Sequence, residues 1–214
     1  MGKYNKHYFE KYALLSICHL FNIHIEDFEK KSERPDLQSE ALSIGVEVVR
    51  AITKHDGLTY SIADDNFGRG LSGEEIVASI KKNNNKGKFK GSVYRVGDVV
   101  GISSEEGMYD SSKHRNLVSE KIKEKSQLSK GYRHYRTNGL YCFTHTSLIN
   151  ETDYPYIIES CKGSSFNLIL IDCIDTILQW NAPSDNLVKH KISEKNMHKW
   201  DQLALRQSEG EMNI

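Results

Sequence analysis

Leu42-Ser-Ile-Gly-Val-Glu-Val-Val-Arg-Ala-Ile52 is the stretch that decides the fold. It is apolar, β-branched and continuous, the pattern of a strand buried on both faces in the middle of a sheet. Glu47 stands at its centre. A carboxylate in such a strand is costly unless a hydrogen-bond donor, a cation or a metal meets it. Upstream, Arg34-Pro35-Asp36 reads as an extended or turning segment, because proline disfavours helix at its own position and the one before. Two carboxylates on neighbouring strands can converge on one hard cation, with a backbone carbonyl and waters completing its shell. An ion held in this way can activate water and stabilise a pentacovalent phosphate during phosphodiester cleavage.

Outward from this strand, the periodicities predict a helix over 5–22, where Tyr8, Tyr12, Leu15, His19 and Leu20 recur at three- and four-residue spacing. Residues 26–33 form a charged connector. A second long helix is expected over 113–132, a strand over 139–145, a short helix over 156–161, and one or two strands over 166–180. Asp172 and Asp175 mark a turn within that last stretch. Residues 56–112 differ in composition and hold nine of the 15 glycines. They read as an insertion with a short amphipathic helix near 73–82, a lysine- and asparagine-rich mobile loop at 81–90, and a strand pair over 93–102. The tail from about 193 is polar, with helical potential and a frayed end. The expectation is one domain over 1–214, an α/β fold with a central mixed β-sheet flanked by helices.

Composition supports a folded chain. Hydrophobic residues make up 38%, and 29 basic side chains balance 29 acidic ones. That balance excludes a protein-wide pull on nucleic acid, so any such binding must come from a local patch. The longest apolar stretches, 12–25 and 168–180, are broken by His19, His24, Asp172 and Asp175. Neither reaches the roughly 18 to 20 residues of a membrane span, so no membrane partner is expected. The N-terminal residues are too polar for a secretory signal. Cys18, Cys142, Cys161 and Cys173 are scattered without a CxxC pair, which favours reduced thiols and a cytoplasmic location.

With Pro35-Asp36, Gly45-Val46-Glu47-Val48-Val49 and this order of elements in hand, the sequence resembles the PD-(D/E)xK nuclease superfamily, whose fold is restriction-endonuclease-like. The resemblance spans roughly residues 5–180. It implies a metal-dependent nuclease acting on DNA or RNA, with Mg²⁺ or Mn²⁺ held by Asp36, Glu47 and the carbonyl of Val48. It also implies that Glu10 matches an acid that some members carry on the first helix. The sequence departs from the pattern at Val49, which stands where the assisting lysine belongs. Arg50 cannot replace it, because adjacent strand residues face opposite sides. A lysine from elsewhere is therefore required. On the 113–132 helix, Leu117, Val118, Ile122, Leu128 and Tyr132 form one apolar stripe, with Lys121 and Lys125 in its centre. Lysines there either snorkel to solvent or reach a polar pocket. Lys125 is the first candidate and Lys121 the second.

The same segment is basic. Lys113, Arg115, Lys123, Lys130, Arg133 and Arg136, with His114, His134, Tyr132 and Tyr135 among them, are the candidates for contact with a phosphate backbone. The alternative function is a catalytically silent scaffold of the same fold, binding nucleic acid or a protein partner, a second copy of the chain included. Val49 is its main support. Cys142 and His145 have the spacing of zinc ligands, but no second pair matches them, and a strand interior accounts for both.

Overall fold

The first helix, α1 (Lys6–Phe21), buries Phe9, Ala13, Leu14 and Ile17 and also Glu10. A short strand, β1 (Leu37–Ser39), begins one residue after Asp36 and pairs antiparallel with β2 (Ile44–Arg50), Leu37 opposite Val46. The computed structural model describes residues 4–29, 34–67, 70–84, 89, 91–97, 99–103 and 110–210. Helix α2 (Lys54–Asn66) opens with a capping box in which Thr53 and Asp56 satisfy each other's backbone N–H groups. Helix α3 (Gly73–Asn84) and the hairpin β3 (Ser92–Val96) and β4 (Val99–Ser103) follow. Then come α4 (Ser111–Leu128), capped by the Asp110 side chain, β5 (Thr137–Phe143), α5 (Tyr154–Lys162), β6 (Leu168–Asp172), β7 (Thr176–Asn181), β8 (Val188–Lys191) and α6 (Glu194–Gly210).

The architecture is α/β. Six strands form one mixed sheet in the order β1-β2-β5-β6-β7-β8, parallel where β2 meets β5 and β5 meets β6, antiparallel elsewhere. Alternation along the central strands sends side chains to two cores. Val46, Tyr141 and Leu170 pack with α1 and α6. Val49, Leu140, Cys142 and Ile171 pack with Val118 and Ile122 of α4 and with α5. Leu140, Ile169 and Ile171 are wholly buried, and each such side chain stabilises the fold by roughly 1.5–3 kcal/mol.

The chain divides into two compact units. One is Lys6–Ala51 with Asp110–Ile214, which holds the six-stranded sheet. The other is Met1–Asn5 with Ile52–Tyr109. Its own core is Ile76, Ile80 and Phe89, with Leu58, Ile62 and Val93 packed against them.

Several elements differ from the sequence reading. Helix α2 was not expected, because its apolar positions Leu58 and Ile62 are few and its glycine Gly57 weakens the helical pattern. In the tract at 81–90, residues 81–84 continue α3 and are not a loop; Phe89 is outside helix and strand but buried, and the rest of the tract lies outside the described residues. Strand β8 is short and mostly exposed, with no alternation to reveal it. The stretch from 193 realises its helical potential as α6, and residues 211–214 lie outside the described ones. Helix α6 buries Trp200 and Ala204 in the α1 core, and Trp200 meets Tyr12 edge-on at 5.8 Å. Among the described residues no helix is long and apolar enough to cross a membrane.

Candidate functional site

Glu47 lies mid-strand in β2, its side chain 5% exposed and, like Val49, turned toward α4. The Lys125 ammonium reaches it, with Nζ 2.8 Å from Oε1. The Tyr132 hydroxyl donates to the same oxygen at 3.2 Å. Glu47 Oε2 is buried and has no hydrogen-bond partner. Burial raises the pKa of the Tyr132 hydroxyl, and the Glu47 charge and its hydrogen bond raise it further. Tyr132 therefore stays a neutral donor at neutral pH.

Helix geometry separates the two lysine candidates. Val118 and Ile122 are the buried residues of α4. At about 100° per residue, Lys125 lies about 40° from the line midway between them and Lys121 about 80°. Lys125 therefore points inward at the sheet. Lys121 sits on the flank of the helix and bonds Glu124, one turn on, at 2.6 Å. Leu128, expected in the apolar stripe, is exposed, because the helix has by then passed the edge of its core.

Asp36 is held from two sides. The Val48 backbone N–H donates to its Oδ2 at 2.8 Å, a bond that pins the residue before β1 to the edge of β2. The Lys6 ammonium lies 3.0 Å from its Oδ1 and 3.2 Å from Glu10 Oε1. Burial pulls the Lys6 pKa down, but the hydrogen bonds and charges of Asp36 and then Glu10 outweigh it, so Lys6 ends raised and protonated. His7 Nδ1 approaches the other Glu10 oxygen at 3.4 Å. Gly45 makes this packing possible: a Cβ there would sit 2.7 Å from Pro35 Cγ and collide with the Tyr135 ring.

The structure thus brings Lys125 onto Glu47 and places Glu10 and Asp36 around Lys6, while Lys121 stands apart. The sequence reading missed Lys6. Its signal was the four-residue spacing from Glu10, which puts both on one helix face. Tyr132, taken as part of the apolar stripe, lies beyond α4 and faces Glu47 through its hydroxyl.

Two recesses flank these groups. Glu10 and Asp36 line one of about 90 Å³ with His7, Leu14 and Gln38. Glu47 lines the other, of about 100 Å³, with Pro35, Ser129, Tyr132 and His134. The donor chemistry fits a hard divalent cation: carboxylate oxygens, one of them buried and unpartnered. Among the described residues no three His, Cys, Asp or Glu side chains converge as a ligand set.

The described basic residues differ in their surroundings. Arg115 is committed to Asp153 at 3.4 Å and lies over the Tyr156 ring at 4.1 Å, near the start of α4. Arg133 pairs with Glu40 at 2.7 Å and, with His134, lines the Glu47 recess. Lys123, His134 and Arg136 are exposed, and Lys113 is half-buried; the Lys130 side chain lies outside the described residues. Cys142 is wholly buried, and burial raises the pKa of its thiol. His145 accepts a hydrogen bond from Arg50 Nε at 2.9 Å, which accounts for its ring without zinc. Comparison of the chain with family models, with curated proteins and with solved structures finds no match.

Proposed function

We propose that the chain is a divergent metal-dependent nuclease, hydrolysing phosphodiester bonds in DNA or RNA at a site built from Asp36, Glu47 and Lys125. The observation that carries this reading is the 2.8 Å contact between Lys125 and Glu47. It joins an α4 ammonium to Glu47, which supports Lys125 as the substitute for the lysine that the PD-(D/E)xK pattern needs and Val49 does not supply. The unpartnered Glu47 Oε2 supports it further, since a buried carboxylate oxygen normally finds a partner.

In hydrolysis, a water oxygen bonds to phosphorus, the bond to the leaving oxygen breaks, and the proton that the water gives up to solvent is balanced by one taken up at the leaving oxygen. Asp36, Glu47 and the Val48 carbonyl would hold Mg²⁺ or Mn²⁺, which supplies positive charge for the phosphate and acidity for water. Lys125 carries three donors. One is spent on Glu47, and the others can orient the water or meet a phosphate oxygen. Tyr132 holds the same Glu47 oxygen through its hydroxyl. Arg133, His134 and Arg136 follow within a few residues and would be the ones to contact the backbone of a bound strand.

A second reading is favoured by the ion pairs themselves. Both carboxylates already have an ammonium, as in a silent scaffold whose buried charges are balanced internally. The test is incubation with plasmid, single-stranded DNA and RNA in Mg²⁺, Mn²⁺ or EDTA, beside Asp36→Ala. Metal-dependent cutting lost in the variant supports the nuclease. Cutting that persists in the variant sinks this site. No cutting of any substrate by wild type moves the weight to the scaffold.

A further inference from the structure

We propose that Lys6 is a latch on the metal site, holding Asp36 until a divalent cation displaces the ammonium onto Glu10. The proposal rests on the nuclease reading and adds a residue and a role to it. Asp36 has two carboxylate oxygens. Oδ2 is occupied by the Val48 N–H at 2.8 Å. Oδ1 is the oxygen left for a metal, and Lys6 Nζ sits on it at 3.0 Å. An ammonium and a divalent cation compete for one carboxylate oxygen because like charges cannot share it at contact distance without strong repulsion.

Glu10 gives the displaced ammonium a place to go. Its Oε1 is already 3.2 Å from Lys6 Nζ, one helical turn away. The Lys6 side chain is 64% exposed, so it can move without disturbing the core. Asp36, at 4%, cannot follow it. The latch thus has a mobile cation, a fixed carboxylate and a second carboxylate that holds the cation when released. Glu10 is then a positioning residue that acts through Lys6, in place of the direct metal role implied by the resemblance.

The experiment is calorimetric titration of Mn²⁺ into wild type, Lys6→Gln, Glu10→Gln and the double variant, with Lys121→Gln as a control for overall charge. Lys6→Gln should bind about fivefold more tightly, the equivalent of about 1 kcal/mol for a partly exposed pair. Glu10→Gln should weaken binding in the wild-type background and have no effect in the Lys6→Gln background, since its influence runs through the lysine. Lys121→Gln should leave affinity unchanged.

Unchanged or weaker binding by Lys6→Gln, with wild type binding normally, would overturn the latch and leave the nuclease reading intact. An effect of Glu10→Gln that persists without Lys6 would make Glu10 a ligand and overturn its holding role. If wild type and Lys6→Gln both fail to bind Mn²⁺, the latch and the metal site fall together.

Discussion

Two lysines meet two carboxylates at the β1–β2 corner, and the pairs are not alike. Lys125 comes from α4 onto Glu47, and both side chains are largely buried, 22% and 5% exposed. Lys6 comes from α1, on the other face of the sheet, onto Asp36, and remains 64% exposed. A buried pair is fixed, because separating it strands a charge in a poor solvent. An exposed lysine exchanges its partner for water at little cost. The α4 ammonium is therefore fixed in place, and the α1 ammonium is removable.

A third carboxylate shows what happens without a cation. Asp172 is buried at the end of β6 and accepts from the Tyr141 hydroxyl at 2.7 Å and the Ile174 N–H at 3.0 Å. Burial pushes its pKa up to about 6, against the lowering effect of those two bonds. It lines a cavity of about 430 Å³ with Tyr8, Phe9, Tyr12 and Phe143.

Removal of the buried lysine should have the largest effect. Lys125→Met leaves Glu47 charged and uncompensated, and should lower stability by about 3 kcal/mol in denaturant unfolding. A loss below 1 kcal/mol would mean that water already reaches Glu47. Asp172 gives the next largest effect. Its raised pKa favours the neutral form in the folded state, so its stabilisation is complete below about pH 4 and is lost as pH rises through about 6. Asp172→Asn stays neutral. Relative to wild type, its stability should rise between pH 4 and pH 7 by an amount on the order of 2 kcal/mol. A flat difference would show that Asp172 ionises freely in the fold.

Smaller effects are expected at the exposed positions. Lys6→Met should cost about 1 kcal/mol or less, because Asp36 keeps the Val48 bond. Lys121→Met should cost about 0.3 kcal/mol, the worth of a surface pair on one helix. A Lys6→Met loss as large as that of Lys125→Met would erase the distinction between the two sides.

Much of the fold is legible in the sequence because its central strands are unambiguous. Residues 42–52, 139–145 and 166–180 are apolar enough to be read as strands and fall on β2, β5, β6 and β7. Edges and coverings are harder. β1 has three residues and β8 is exposed, so neither carries a period long enough to detect. α6 reads as polar because only one narrow stripe, with Trp200 and Ala204, touches the core. At the candidate site, Asp36 and Glu47 stand out by type and setting. Lys125 is found through the gap at Val49 and the phase of α4. Lys6 is hidden because a lysine near a helix start looks like solvated surface. Only the tertiary approach of Asp36 gives it a partner beyond its own helix.

The most direct measurement is single-turnover cleavage by wild type and Lys125→Met with saturating Mn²⁺, on whichever of plasmid, single-stranded DNA or RNA wild type cuts. If Lys125 assists the attacking water, the variant should remain folded, bind Mn²⁺ and cut about 100-fold more slowly or worse. Equal rates would mean that Lys125 takes no part in the chemical step.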